Sequence, residues 1–208
     1  MINIVNNLLL EALMKAIQEE RMRGYFLEAA KELIRAEGIA VVSARNVAER
    51  AGYSYATLYN YFKDVRDLIF SCTEDFMKEC VEFVSHEAKG TPGKERLVKK
   101  TKGYVKFFLQ HFGIFTLLYQ LPPSSISTKN SRVAGIHTFF DTIIEEDWTA
   151  VCGVSSMDPK KLKRIREHFK YSIHGLLLFY LNGRKEMEFK SFLEEVTSIV
   201  ESFVDLID

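Results

Sequence analysis

Several features typical of secreted, membrane or strongly charged proteins are scarce in this sequence. Its 208 residues include three cysteines, an odd number with no CxxC pair, which excludes a small disulfide framework and favours a reducing cytoplasm. No apolar run reaches 18 residues, so no membrane-spanning helix is expected. The formal net charge is zero, and overall charge therefore indicates neither a nucleic-acid nor a membrane partner.

Motifs of catalysis are missing as well. The sequence has no HExxH, no GxSxG, no phosphate-binding GxxxxGK[ST] and no dinucleotide glycine fingerprint. None of its five histidines pairs with another histidine or a cysteine at a helical spacing of three or four, as a metal site on one helix face requires. We therefore predict no enzyme activity, no metal site and no cofactor.

Helical periodicity dominates what is present, and no convincing alternation of strand type occurs. The fold class predicted is all-α, with an N-terminal helix-turn-helix domain and a helical C-terminal domain. Expected boundaries are a helical extension over 1–18, an N-terminal domain over 19–66 that contains the helix-turn-helix, and a C-terminal domain over 67–208. The extension is apolar-rich but lacks the basic polar face of a membrane-surface helix, so we expect it to pack on the body or on a partner.

Residues 43–62 have the format of a helix-turn-helix. Ser43 precedes a short helix as its N-cap, Gly52 ends that helix, and Ser54 starts a second helix through about Phe62. Leu58 and Phe62 lie four residues apart and face the core. The remaining polar side chains of the second helix project elsewhere, at a density of hydroxyl groups that suits phosphate oxygens. These side chains are Tyr55, Thr57, Tyr59, Asn60 and Tyr61.

The stretch VSARNVAERAGYSYATLYNYFKD, with its small-residue turn and its Thr-Leu-Tyr-x-Tyr-Phe-Lys ending, resembles the DNA-binding signature of the TetR family of bacterial regulators. The resemblance covers about 60 residues and implies an all-helical regulator that binds operator DNA. It implies phosphate contacts from Ser43, Tyr59, Tyr61 and Lys63. It also implies base-edge or mixed contacts from Arg45, Tyr55, Ala56, Thr57 and Asn60, with Ser54 on the same surface.

Two observations weigh against strong DNA binding. The family usually has a phosphate-binding lysine where this chain has Val65, so Lys63 or Arg66 must supply that contact if it is made. Residues 19–67 also contain eight basic and eight acidic side chains, whereas a DNA-binding unit is expected to be basic. A protein of this fold that acts through a protein partner, as a co-activator or adaptor, is therefore the alternative to an operator-binding repressor; a helical ligand-processing enzyme is a third.

The C-terminal region is rich in aromatic side chains, which form either a solid core or the walls of a cavity for a small apolar effector. The resemblance favours the cavity. Candidate lining residues are Phe108, His111, Tyr119, His137, Trp148 and His174. The lysines between Lys99 and Lys106 are interpreted as a solvated helix face.

Two C-terminal helices, over about 159–182 and 187–207, each carry an apolar stripe, and Gly175 permits close approach of another helix. In the family such a pair packs against its symmetry mate. A homodimer is therefore expected, with two recognition helices reading a palindromic operator and an effector that changes their spacing. The interface residues predicted are Phe169, Ile173, Val196, Ile199 and Phe203.

Overall fold

The computed structural model describes residues 2–126, 130–153, 155–184 and 186–207. Its long helices are α1 (Ile2–Glu37), α4 (Val65–Glu87), α5 (Lys94–Gln110), α8 (Asn130–Cys152), α9 (Pro159–Leu181) and α10 (Phe189–Asp205). Its short helices are α2 (Ala44–Ala51), α3 (Tyr55–Leu58), α6 (Phe112–Phe115) and α7 (Pro123–Ile126). A 3₁₀ turn precedes α2 at Ile39–Val41, and a π-helical turn follows α6 at Thr116–Gln120.

The predicted all-α class is confirmed, because the described residues contain helices and no strand. Two boundaries differ from the prediction. The N-terminal extension and the first helix of the DNA-binding domain form one continuous helix, α1. Helix α3 ends at Leu58 rather than near Phe62, and the chain then turns with Tyr61 and Phe62 donating their backbone N–H groups to the carbonyl of Leu58.

The chain divides into two compact units. The first comprises Met1–Phe76 and Gly113–Asn130, and the second comprises Met77–Phe112 and Ser131–Asp208. The sequence boundary between the two domains was expected at 66, whereas the first unit extends into α4 and also takes in the segment after α5.

The core of the first unit joins α1, α2, α3 and the first part of α4. Its side chains are fully or almost fully buried: Phe26, Ile34, Val47, Leu58, Phe62, Leu68 and Phe76. Arg23 of α1 strengthens this packing, since its guanidinium lies 4.7 Å from the centre of the Phe62 ring and donates to Ser71 Oγ at 2.8 Å. The recognition segment is thereby fixed to both long helices of the unit.

A close backbone approach fastens the segment after α5 to the same unit. A Cβ added at Gly113 would clash with the carbonyl oxygen of Ile34 near the end of α1. Only glycine permits this contact, so Gly113 is required for the packing of α6 on α1.

The second unit is held by an aromatic core and a buried carboxylate. Asp147 of α8 has no exposed surface, and its oxygens lie 2.6 Å from Arg96 Nε and 2.7 Å from Lys100 Nζ, both on α5. Burial alone would raise the pKa of Asp147, but the hydrogen bonds from Lys100 and Arg96 outweigh it and lower the pKa. Lys100 therefore has a structural role that its interpretation as a solvated residue missed.

Candidate nucleic-acid interface

Helices α2 and α3 are each started by a serine. Ser43 Oγ accepts a hydrogen bond from the backbone N–H of Asn46 at 3.2 Å, and Ser54 Oγ accepts one from Thr57 at 3.2 Å. Both contacts satisfy a donor that the first turn of a helix leaves unpaired. Each capping hydroxyl keeps its own hydrogen, which Ser43 can donate to a phosphate oxygen without giving up the cap. The two predicted caps are confirmed.

The turn between the helices depends on Gly52. Its φ of 78° and ψ of 25° place it in the left-handed region, and its N–H bonds to Ala48 and Glu49 carbonyls close α2. A side chain with a Cβ is disfavoured in this conformation by about 1–2 kcal/mol. Gly52 thus sets the angle at which the chain leaves α2 and enters α3.

Helix α3 exposes one set of side chains and buries another. Leu58 has no exposed surface, whereas Tyr55 is 63% and Tyr59 is 49% exposed. Ala56 and Asn60 are exposed beside them, and Thr57 is half-buried with its hydroxyl 2.9 Å from that of Ser54. The structure therefore exposes Tyr55, Ala56, Tyr59 and Asn60 on α3 and in the turn that follows it, while Leu58 is buried.

Two tyrosines that flank α3 differ from this pattern because they pack against α1. The Tyr53 ring lies 5.6 Å from the ring of Phe26 and 6.1 Å from that of Tyr25, and the Tyr61 ring lies 6.0 Å from Phe26. Tyr61 is half-buried as a result. Interpreting all the tyrosines as a phosphate-binding surface was too simple, since Tyr61 also anchors the turn to the core.

Several basic side chains of the first unit pair with acidic or aromatic side chains of the same unit. Lys31 is 5% exposed and pairs with Glu28 and Asp75, and Arg50 lies 3.6 Å from both Glu32 and Glu37. These pairs neutralise acids of α1 and α4. Two other bases rest on aromatic rings, Arg23 on Phe62 and Arg35 on Phe76.

Two bases next to α2 and α3 remain exposed. Arg45 is the second residue of α2, and Lys63 follows the turn after α3. Within the described part of the chain, neither side chain forms an ion pair. These two positive charges are therefore available to a ligand of α2 and α3.

Lys63 is better placed than Arg66 to replace the phosphate-binding lysine that the family usually has at the position of Val65. Arg66 is exposed but lies 3.8 Å from the Asp64 carboxylate, whose other oxygen accepts the Asp67 N–H as the cap of α4. Among the residues that the structure describes, no carboxylate pairs with the Lys63 side chain, and its backbone N–H lies 3.4 Å from Asp67 Oδ2. A phosphate contact costs Lys63 no existing ion pair.

The predicted effector-binding residues fall into different environments. Phe108, Trp148 and His174 lie in the second unit, where Phe108 is fully buried and Trp148 is 4% exposed. His111 contacts the Phe107 ring in the same unit, and His137 is exposed. Tyr119 lies in the first unit, where its ring is 5.4 Å from Phe115.

The aromatic core of the second unit contains a polar pair that sequence reasoning did not single out. Tyr104 has no exposed surface, and its ring lies 4.8 Å from both Phe108 and Phe140. Its hydroxyl lies 2.8 Å from Nε2 of His174. From Phe140 the ring contacts continue to Phe169 and then to Trp148. No sequence signal identifies Tyr104, since its partner is 70 residues away.

Three of the predicted dimer residues are placed differently by the structure. Phe169, Ile173 and Val196 have no exposed surface, because α9 and α10 pack them into the core of their own unit. They cannot form the surface of an interface. Ile199 and Phe203 are half-buried. The apolar side chains that α9 and α10 leave exposed are instead Tyr171, Leu178, Phe179 and Phe189, with Leu206 just after α10.

Comparison with known proteins decides the class of the first unit. Residues 26–72 match the family model described as bacterial regulatory proteins, tetR family. Residues 26–72 form a TetR-family DNA-binding domain. The resemblance seen in the sequence is thereby confirmed, and the matched range includes both serine caps, Gly52 and all the exposed side chains of α3.

Solved structures extend the likeness to most of the chain. A tetR-family transcriptional regulator from Streptomyces coelicolor gives a TM-score of 0.70 at 19% identity, covering 90% of this chain and 80% of its own. A protein of unknown function from Rhodococcus sp. RHA1 gives a TM-score of 0.69 at 21% identity, covering 89% of this chain and 95% of its own. A TetR family transcription regulator from Marinobacter aquaeolei VT8 gives a TM-score of 0.55 at 20% identity, covering 92% of this chain and 98% of its own.

At these identities the solved structures establish the fold alone, and a comparison with curated proteins gives no match. TetR-family proteins are transcriptional regulators and not enzymes. The chain therefore has the TetR fold, with a match to the family's DNA-binding region over residues 26–72. No helix among the described residues has the length and apolar character needed to span a membrane. Nor do those residues bring together three metal-binding side chains of the His, Cys, Asp or Glu type.

Proposed function

We propose that this protein is a ligand-responsive repressor that binds a palindromic operator as a homodimer and is released by a small apolar or aromatic effector. The observation that carries the proposal is the exposure of Tyr55 on α3 and of Tyr59 and Asn60 in the turn after it, with the exposed bases Arg45 on α2 and Lys63 after the turn. Hydroxyl and cationic groups bind phosphate oxygens, and an amide can make a bidentate contact with adenine.

The division of labour within this surface follows from chemistry and position. Lys63 and Tyr59 contact phosphates and hold the register of the protein on the duplex. Arg45 and Asn60 contact base edges, since guanidinium and amide groups match guanine and adenine in the major groove. Phosphate contacts carry no sequence information, so only the second pair determines which operator is bound.

Homodimerisation is supported by exposed apolar residues of α9. Tyr171, Gly175, Leu178 and Phe179 share one face at spacings of four, three and one, and a Cβ at Gly175 would meet nothing within 4 Å. A helix of a second copy can approach closely at such a glycine. These residues replace the buried Phe169, Ile173 and Val196 as the proposed contact surface. A two-fold pair of chains presents two recognition helices to a palindrome.

The effector is proposed to bind among the aromatic side chains of the second unit. Apolar walls with few polar groups are typical of small-molecule sites, and Tyr104 and His174 supply a hydrogen-bonding pair inside this cluster. Ligand binding that differs between two conformations by about 1–3 kcal/mol changes operator affinity by a factor of roughly 5–150. Trp148 is the only tryptophan of the chain and stacks on Phe169, so its fluorescence reports ligand entry without a label.

The test is a mobility-shift titration of the full chain with duplex DNA from immediately upstream of its own gene, against a scrambled duplex of equal length. Preferential binding of the upstream DNA is expected. Its release by a compound that also shifts Trp148 fluorescence over the same concentration range would support the sensor function. If the chain shows no preference for any duplex in a random-sequence selection but captures a protein partner, the adaptor alternative replaces the repressor.

A further inference from the structure

The N-terminal part of α1 is a helix whose described side chains are all solvent-exposed up to residue 21. It nevertheless presents large apolar side chains that are 49–65% exposed. We call these five the leucine patch: Leu9, Leu10, Leu13, Met14 and Ile17. Spacings of one, three and four place them on one face of the helix. The DNA-binding surface of α2 and α3 uses none of them.

A helix of this kind needs a partner. Most helices in proteins owe their stability to packing of an apolar face, and this segment of α1 has its apolar face exposed. At roughly 100 Å² for each side chain, the leucine patch offers about 500 Å² per copy. Two such patches packed together bury about 1,000 Å², which reaches the size at which specific protein interfaces begin.

Charge argues against two other occupants. Residues 2–18 contain only Glu11 and Lys15 as charged side chains, so the segment has no net charge. A membrane-surface helix carries a polar face rich in Lys and Arg, and so does a segment that binds nucleic acid along phosphates. The leucine patch therefore fits another neutral, apolar helix.

The pattern of the patch is complementary to itself when one helix is reversed. If a two-fold axis passes through Leu13, Leu9 of one copy faces Ile17 of the other. Asn6 and Glu20 each lie seven residues from Leu13 and bound the patch, so the Asn6 amide N–H groups can donate to the Glu20 carboxylate of the other copy. A parallel pairing would instead place Glu20 beside Glu20, where like charges repel.

We propose that the N-terminal part of α1 pairs antiparallel with the same segment of a second copy, with the two-fold axis at Leu13. The contact is isologous, so the same residues of both copies form it. It uses none of the α9 residues proposed for the dimer. The two self-association surfaces are therefore separable by mutation, and the α1 contact stands or falls independently of DNA binding.

Disulfide cross-linking of the full chain tests this register directly. Cys72 and Cys80 are buried, and Cys152 is replaced by serine to leave no accessible thiol. Under mild oxidation, Leu13→Cys should cross-link to itself. Leu9→Cys and Ile17→Cys should each stay uncross-linked alone but form a heterodimer when mixed. Self-cross-linking of Leu9→Cys would indicate parallel pairing, and no cross-link in any sample would mean no pairing; either result overturns the proposal.

A second measurement uses charge instead of cysteine. Leu13→Glu places a carboxylate on the axis and should weaken the α1 contact about tenfold or more in sedimentation velocity. Gln18→Glu is the matched control, since it adds the same carboxylate about 140° round the helix from Leu13. Equal association of both variants would contradict the proposal. The wild-type chain is also mixed with vesicles made of equal amounts of phosphatidylcholine and phosphatidylglycerol. Binding to these vesicles that Leu13→Glu abolishes would likewise contradict the proposal.

Discussion

The hydroxyl of Tyr104 donates a hydrogen bond to Nε2 of His174 across 2.8 Å, inside an aromatic cluster. The direction of this bond follows from the other ring nitrogen, since Nδ1 lies 2.8 Å from the carbonyl oxygen of Lys170, which can only accept. Nδ1 therefore carries the hydrogen, and Nε2 is the acceptor. Burial lowers the pKa of His174, so the folded protein holds this imidazole neutral.

This geometry predicts a loss of stability in mild acid. An unfolded histidine titrates near pH 6.5, whereas folded His174 binds its proton only at a lower pH. The stabilising contribution is therefore complete above about pH 6.5 and is lost as the pH falls toward the folded pKa. Urea unfolding between pH 7.5 and 5 should show a weaker pH dependence for His174→Gln than for wild type. The exposed His137→Gln serves as control, and an identical slope in all three proteins would contradict the assignment.

Tyr104→Phe should destabilise the second unit. Removing the hydroxyl leaves Nε2 of His174 without its donor, and a buried unsatisfied acceptor costs about 1–3 kcal/mol. Chemical denaturation gives this loss in the free energy of unfolding. In the His174→Gln background the same substitution should cost less, because the partner is already gone; equal cost in both backgrounds would mean that the two side chains do not interact energetically.

Gly52→Ala should lower the free energy of unfolding by about 1–2 kcal/mol, because the left-handed conformation of residue 52 disfavours a Cβ. Nothing lies within 4 Å of the position where that Cβ would be, so the loss comes from the backbone alone. Asparagine tolerates the left-handed region better than alanine. Gly52→Asn should therefore lose less, and the order Ala below Asn below Gly in thermal denaturation checks the prediction.

Substitution of the two bases near Val65 should separate their roles. Lys63→Ala is expected to weaken binding to all duplexes alike and to reduce the slope of log affinity against log salt by about one, the value for one lost phosphate contact. Arg66→Ala should change the slope less, because Arg66 lies 3.8 Å from Asp64. Titrations at several salt concentrations measure both slopes. A larger effect for Arg66→Ala would transfer the contact to that residue.

The exposed face of α9 should control dimerisation if the proposed interface is correct. In the Leu13→Glu background, which removes the proposed α1 contact, Phe179→Glu replaces a side chain that is 55% exposed, so it should yield folded monomers, whereas a charge at the buried Val196 would unfold the chain. Lys163→Glu, exposed elsewhere on α9, should leave association unchanged. Light scattering measures the oligomeric state, and circular dichroism checks that each variant is folded. A dimer that persists in the Phe179→Glu variant would exclude this face of α9 as the interface.

The features that the sequence predicted well are local. Ser43 and Ser54 act as caps by accepting hydrogen bonds from N–H groups three residues ahead, and Gly52 closes the turn through its own backbone. Each depends on neighbours in the chain, so spacing alone identifies it.

Contacts between residues that are far apart in the sequence could not be predicted from it. Lys100 pairs with Asp147 across 47 positions, and Tyr61 packs on Phe26 across 35, which no helical period indicates. The stripe containing Phe169 and Val196 correctly marks a buried face. Periodicity cannot distinguish burial in the same chain from burial against a second copy, and the buried stripe was therefore mistaken for a dimer interface.

The most direct test of sequence-specific DNA binding by α2 and α3 is a titration of a selected operator and its single-base variants. At one fixed salt concentration, wild type should prefer the operator over a scrambled duplex by about 10³ or more. Arg45→Ala and Asn60→Ala should each lose about 1–3 kcal/mol of discrimination at one base pair, while Lys163→Ala loses none. A wild-type chain without preference, or a preference unchanged by both substitutions, would contradict the account.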